Sequence, residues 1–235
     1  MAIASSVLIE SFLNPAFYPH PVCEPIGFIQ THISYVFLTG DYAYKVKKTV
    51  NFGFLDYSTT DKRKHYCDRE LEMNQLGAPG IYLDVLPISQ IGETLALGNS
   101  TYIVEYTLKM RQFSQENLWS QLFDRQELTE AKLVDLGRTI AQFHAASATN
   151  PYIRSFGTVR SVRETLQQNY EQTRNYIGIV QTQTQFTQTQ NYTDRFFHEK
   201  AELFDRRIQA DKIRECHGDL HLNNIAQKKK KTILF

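Results

Sequence analysis

The 235-residue sequence is poor in cysteine, and its three cysteines, Cys23, Cys67 and Cys216, lie far apart with no C-x-x-C pair. Neither a disulfide framework nor a zinc site is indicated, so we expect a protein of the reducing cytoplasm. The phosphate loop G-x-x-x-x-G-K-[ST] is also missing, which argues against a P-loop nucleotide-binding protein. No apolar run approaches the ~20 residues of a membrane helix, and the first residues favour a packed helix over a signal peptide.

Neither sign of charge is in excess. Lys and Arg total 26 while Asp and Glu total 25, which gives a net charge of +1. A chain without a strong global field has no electrostatic reason to recruit nucleic acid or a membrane surface, and we expect neither as a partner. Hydrophobic residues make up 42% and charged residues 22%, the composition of an ordinary globular protein. At this length we expect one large domain or two closely joined lobes.

Strand-like segments and one helix dominate the first third of the chain. Residues 33–38 and 42–48 are rich in β-branched and aromatic side chains and flank a Thr-Gly-Asp turn, which predicts a hairpin. A helix is predicted over 61–76, because capping residues precede it and glycine and proline follow it. Further strands are predicted at 81–88, 95–97 and 101–106.

The remainder of the chain has the spacing of helices. From residue 114 onward apolar residues recur with helical periodicity, and further helices are predicted at 161–176 and 194–210. The tract from Gln181 to Gln190 (QTQTQFTQTQ) is polar and of low complexity, so it is predicted to be an exposed connector. These patterns together predict an α+β fold with a strand-rich first part and a helical second part.

The densest group of reactive side chains lies near the end of the chain, in CHGDLHLNNI. Here His217 precedes Asp219, and Asn224 follows five residues later, which is the H-x-D-x-x-x-x-N spacing of a phosphotransferase catalytic loop. In such a loop the carboxylate orients or deprotonates the acceptor hydroxyl, and the asparagine holds Mg²⁺. His217 and His221 could instead bind a metal, but the sequence offers no third ligand cluster, so zinc hydrolysis is the less favoured interpretation.

Upstream, a predicted strand and helix offer the lysine and glutamate that such an enzyme needs. Lys45 in Ala-Tyr-Lys has the V-A-x-K arrangement in which the lysine reaches the nucleotide phosphates, and Lys47 shares its strand face as the alternative. A carboxylate on the following helix would pair with the strand lysine. Glu70 is favoured for this role, with Glu72 as the alternative.

These segments, HGDLHLNN with AYKVKK, the Glu-bearing helix and VEYTLKM, resemble the aminoglycoside phosphotransferase family of the protein-kinase-like fold. The stretch from TGDYAYKVKK to HYCDRELEMN is similar to a bacterial subgroup of phosphotransferase-like proteins, some of them fused to a P-loop ATPase domain. The resemblance implies a two-lobe fold that binds ATP and Mg²⁺ and transfers the γ-phosphate to a hydroxyl of a small molecule. The acceptor itself cannot be read from the sequence.

The resemblance also implies roles for individual residues. Asp219 would be the catalytic base and Asn224 a Mg²⁺ ligand, while Lys45 would reach the nucleotide phosphates and Glu70 would hold the Lys45 ammonium in place. The backbone of Glu105, Tyr106 and Thr107 would meet adenine as an interlobe hinge. The family's glycine-rich phosphate loop is replaced by QTHIS, so phosphate contacts there would come from backbone N–H groups or from Ser34.

The implied domain plan is an N-lobe over 1–104, a hinge over 105–112 and a helical C-lobe over 113–235. The family supplies a second Mg²⁺-binding Asp about a dozen residues after the Asn. The sequence stops at Phe235 before that position, so we expect a truncated form whose C-lobe is incomplete and whose catalysis is impaired or absent. The alternative function is a non-catalytic kinase-like fragment that binds nucleotide or a protein partner.

Overall fold

The computed structural model describes residues 4–53, 55–228 and 231–235 and has an α+β fold. The α+β class expected from the sequence is therefore confirmed. The strands are β1 (Gly27–Gln30), β2 (Ser34–Leu38), β3 (Tyr42–Lys47), β4 (Tyr82–Ile91), β5 (Thr94–Leu97), β6 (Ile103–Arg111), β7 (Ile225–Lys228) and β8 (Lys231–Leu234). The helices are α1 (Ser5–Leu13), α2 (Thr60–Gly77), α3 (Trp119–Asp124), α4 (Glu130–Ala146), α5 (Pro151–Ser155), α6 (Val159–Thr173), α7 (Gln183–Glu199) and α8 (Ala201–Gln209).

The chain divides into two compact units. One contains the residues up to Ile140 together with His217–Phe235, and the other contains Ala141–Cys216. The last two strands, β7 and β8, therefore belong to the same compact unit as the first six strands. The division of the sequence into lobes at 104 and 112 stays a prediction.

Six antiparallel strands form the main sheet of the first unit, in the order β1-β2-β3-β6-β4-β5. The predicted hairpin is present as β2 and β3, in which Val36 pairs with Lys45. Strand β6 lies between β3 and β4 and extends to Arg111, beyond its predicted end at 106. Beyond that point it stays paired with β3, where Lys109 lies opposite Tyr44 and its ammonium lies 4.0 Å from the centre of the Tyr42 ring.

The two faces of the sheet have different neighbours because side chains alternate along a strand. On β3 Tyr44 and Val46 pack into an apolar core with Phe12 of α1 and Phe37 of β2. The intervening lysines face helix α2 on the other side. One strand thus contributes both to a hydrophobic core and to a charged layer beneath α2.

Helix α2 begins and ends close to its predicted limits. The Thr59 hydroxyl accepts a hydrogen bond from the Lys62 N–H at 3.3 Å, which caps the first turn. At the other end Gly77 packs directly on β8, where an added Cβ would lie 2.5 Å from the Leu234 carbonyl oxygen. Ala226 of β7 and Ile233 of β8 complete this contact by packing with Ile81. The terminal hairpin is therefore fixed to the end of α2.

The second unit is helical. Its core includes Phe186 and Phe197 of α7, and the Phe186 ring lies edge-on to Tyr170 of α6 at 5.8 Å. The tract Gln181–Gln190 is largely exposed, as predicted, but it is not a connector, since α7 begins at Gln183. Thr182 and Gln185 form a capping box at its start, and the buried Phe186 anchors its first turns.

Among the residues that the structure describes, none of the helices combines the length and apolar character needed to cross a bilayer.

Candidate functional site

The charged layer beneath α2 is built around the carboxylate of Glu70. Its Oε1 accepts a hydrogen bond from Lys45 Nζ at 2.7 Å, and its Oε2 accepts one from Lys47 Nζ at 2.6 Å. The structure thus places Glu70, and not Glu72, beside the strand lysines. Glu72 pairs with Arg69 on the outer surface of the helix. Both strand lysines contact the same carboxylate, one on each oxygen.

The electrostatics of the cluster favours the charged forms of Glu70 and Lys47. Burial alone would raise the pKa of Glu70, but Lys45 and Lys47 outweigh it and lower the pKa to about 2. Burial alone would likewise lower the pKa of Lys47, and the Glu70 carboxylate raises it above its usual range instead. Lys47 also lies 4.9 Å from the centre of the Tyr57 ring. The cluster is a largely buried group of one anion and two cations, so it carries one excess positive charge.

The lowered pKa of Glu70 predicts an acid-dependent loss of stability. Since the pKa falls from 4.5 to about 2 on folding, the ionised carboxylate contributes about 3 kcal/mol above pH 4.5, and this is lost as pH falls towards 2. The Glu70→Gln variant lacks that contribution. We therefore expect the stability difference between the wild type and Glu70→Gln to shrink between pH 5 and pH 2.5 in urea unfolding. Glu72→Gln, on the exposed side of the helix, is the matched control and should show no such trend.

The segment His217–Asn224 forms a tight loop that leads into β7. The Asp219 N–H donates to His217 Nδ1 at 3.2 Å, so His217 Nε2 carries the proton and donates to the Phe235 carbonyl oxygen at 3.0 Å. Gly218 has φ +80°, a conformation that favours glycine. His217 therefore holds the backbone of this loop to the end of β8.

The Asp219 side chain is 81% exposed, and His221 Nε2 lies 3.7 Å from its Oδ2. Asn224 Nδ2 donates to the Asp219 carbonyl oxygen at 2.8 Å, which ties the asparagine to the aspartate across the loop. The predicted acid and amide are thus neighbours, with the carboxylate accessible to a ligand. Within the described residues, no three side chains from His, Cys, Asp and Glu gather into a metal-binding group.

Ser34 does not occupy the position predicted for a phosphate contact. It is the first residue of β2, fully buried opposite Lys47 of β3. Its N–H donates to the Thr31 hydroxyl at 2.9 Å, and its hydroxyl makes no hydrogen bond with any described residue. Ser34 thus lies in the predicted strand 33–38, and its hydroxyl, a candidate for phosphate contact by resemblance, faces the interior of the protein.

Glu105, Tyr106 and Thr107 lie inside β6 rather than at its end. They pair with Ile88, Pro87 and Leu86 of β4, and Thr107 also pairs with Val46 of β3. Glu105 and Tyr106 are paired on the β4 side only, and the Tyr106 N–H donates to Glu105 Oε1 at 3.0 Å, so the contact of this segment with adenine stays a prediction. Strand β6 ends at Arg111, and the Gln112 N–H that follows donates to the Asp41 carbonyl oxygen at 3.0 Å.

Sequence reasoning missed the partner of Glu105, which is Arg63 of α2. Arg63 Nε lies 2.9 and 2.8 Å from the two Glu105 oxygens, and Nη2 lies 2.7 Å from Oε2. Arg63 Nη1 also donates to the Tyr57 carbonyl oxygen at 2.8 Å. Both charged side chains are buried. The pair joins α2 to the centre of the sheet. Arg63 lies on the same face of α2 as Glu70.

Comparison with known proteins gives distant relatives. No protein-family model matches the chain. It is 28% identical over 208 residues to proteins of Mycobacterium bovis and of two strains of Mycobacterium tuberculosis, each named only as an uncharacterised protein. The match covers 88% of this chain and 40% of each relative, so the chain spans less than half the length of the relatives it matches.

Proposed function

We propose that this chain has a protein-kinase-like fold and belongs to an ATP-dependent phosphotransferase that transfers the γ-phosphate to a hydroxyl of a small molecule. The observation that carries the proposal is the 2.7 Å ion pair between Lys45 of the third strand and Glu70 of the following helix. In protein kinases a third-strand lysine paired with a helix glutamate must be in place for activity. The Lys45 side chain is 27% exposed, so its ammonium is accessible to a phosphate.

The loop at His217–Asn224 supplies the second part of the proposal. The exposed Asp219 carboxylate would accept the proton of the acceptor hydroxyl as its oxygen bonds to the γ-phosphorus and the bond to ADP breaks. Amide and carboxylate oxygens are ligands that suit Mg²⁺. Asn224 would hold this ion, which when bound neutralises charge on the phosphates. The donor set of Lys45, Asp219 and Asn224 fits Mg·ATP, whereas buried Ser34 does not contribute to it.

Replacing Lys45 tests the proposal directly. A hydrogen bond to a charged group contributes about 1.5–3 kcal/mol, so Lys45→Met should weaken Mg·ATP binding by about 10- to 100-fold. The fold should survive, because Lys47 still neutralises Glu70 at 2.6 Å. Titration calorimetry with Mg·ATP on the wild type and the variant measures the effect.

The matched control for this titration is Lys64→Met. Lys64 lies on the same helix as Glu70 but pairs with Asp68 at the surface, at 2.6 Å. Its replacement should leave the affinity for Mg·ATP unchanged. A folded wild-type chain that does not bind Mg·ATP, or a Lys45→Met variant that binds as tightly as the wild type, would contradict the proposal.

A second candidate function is a non-catalytic nucleotide-binding protein. The burial of Ser34 favours it, because the β1–β2 turn then offers no serine hydroxyl to the transferring phosphate. This function predicts that the wild type binds Mg·ATP but transfers no phosphate to water or to any hydroxyl compound. Radiolabelled γ-phosphate release separates the two candidates.

A further inference from the structure

The two lysines beside Glu70 have different surroundings. Lys45 is 27% exposed, whereas Lys47 is 4% exposed. Lys47 lies beside the Tyr57 ring and opposite Ser34 in the β2–β3 ladder. Only Lys45 can therefore turn towards a ligand, and Lys47 stays within the protein.

A shared carboxylate changes what it costs Lys45 to bind a phosphate. If Glu70 had one cation, the departure of that cation would leave a largely buried carboxylate unpaired, which is strongly unfavourable. With Lys47 on Oε2 at 2.6 Å, Glu70 keeps a charged partner when Lys45 leaves Oε1. The second lysine thus lowers the cost of the exchange and keeps Glu70 in position.

We propose that Lys47 is a positioning residue that holds Glu70 and so frees Lys45 to bind the phosphates of the nucleotide. This inference depends on the proposed function, because it assumes that a nucleotide is the ligand of Lys45. Lys47 contacts the ligand only through Glu70 and Lys45, so its removal should affect binding of the phosphates and leave binding of the nucleoside unchanged.

The test compares Mg·ATP with adenosine as probes of the full chain. In Lys47→Met, Lys45 becomes the only partner of Glu70, and we expect the affinity for Mg·ATP to fall about tenfold or more. Adenosine affinity, measured by competition with a fluorescent adenosine analogue, should stay within twofold of the wild type. Lys47→Arg retains the charge and should restore Mg·ATP binding. In a Glu70→Gln background the Lys47→Met change should have little further effect, because the two residues act together.

The outcomes distinguish this inference from the proposed function. A folded wild type that fails to bind Mg·ATP overturns the proposed function and this inference with it. A wild type that binds Mg·ATP, with Lys47→Met unchanged or with adenosine binding equally weakened, overturns the inference alone. Lys47→Gln replaces Lys47→Met if the latter does not unfold cooperatively on heating. If neither uncharged variant folds while Lys47→Arg does, Lys47 serves the stability of the sheet and the inference is wrong.

Discussion

Replacing Arg63 with methionine is expected to lower the free energy of unfolding by about 3–5 kcal/mol, because it leaves a buried carboxylate without its partner. Burial raises the pKa of Glu105, and the hydrogen bonds from Arg63 oppose that rise. Without Arg63 the Glu105 side chain must bind a proton or remain buried and unpaired. The loss also removes the hydrogen bond to the Tyr57 carbonyl oxygen. Urea unfolding at neutral pH measures the change.

Two control variants make this result specific to the buried pair. Arg63→Met combined with Glu105→Leu removes both charges, and such a replacement is often neutral or stabilising, so the double variant should be more stable than Arg63→Met alone. Arg160→Met breaks the exposed pair between Arg160 and Glu164 and should leave the unfolding midpoint unchanged. An Arg63→Met variant as stable as the wild type would show that the pair does not join α2 to the sheet.

Replacing Asp219 with asparagine is expected to reduce phosphoryl transfer by about 10²- to 10⁴-fold, the usual contribution of a general base. Asparagine has nearly the same size as aspartate but cannot accept the proton of the acceptor hydroxyl. Since 81% of the Asp219 side chain is exposed, the substitution should cost little stability. Single-turnover release of labelled γ-phosphate gives the rate, and calorimetry gives the affinity for Mg·ATP, which should change by less than about threefold.

Asp211→Asn is the matched control for this variant. Asp211 is also an exposed aspartate, and it pairs with Arg154 at 2.7 Å in the helical unit. The Asp211→Asn variant should transfer phosphate at the wild-type rate. An Asp219→Asn variant that transfers phosphate as fast as the wild type would remove Asp219 from the proposed mechanism. A combined loss of nucleotide affinity and of transfer rate would instead assign Asp219 a role in nucleotide binding.

Helix α2 shows what the sequence can and cannot predict. Its limits followed from its capping residue and from Gly77, and the structure has it at Thr60–Gly77. The choice between Glu70 and Glu72 stayed open because residues two apart on a helix lie on different faces and the helix has few apolar residues to mark its inner face. The signal available in the sequence was the spacing of Arg63, Cys67 and Glu70. They stand at i, i+4 and i+7, which places them on one face of the helix, and Cys67 is buried.

The other corrections have local physical causes. The polar composition of the tract Gln181–Gln190 indicated a connector. Glutamine is nevertheless a good helix former, and the tract carries a capping box and the buried Phe186, which favour a helix. Ser34 lies in the predicted strand 33–38, and the burial of its side chain was not predicted because it depends on contacts that the local sequence does not reveal.

The measurement that tests the central claim most directly is labelling by an acyl phosphate of ATP. In this reagent a lysine amine near the bound phosphates attacks the acyl carbon, forms an amide and releases ATP. The account predicts that Lys45 is labelled, that excess Mg·ATP prevents the labelling, and that buried Lys47 remains unmodified in peptide mass spectrometry. Labelling that Mg·ATP does not prevent, or that falls on surface lysines without Lys45, would contradict a nucleotide site at the Lys45–Glu70 pair.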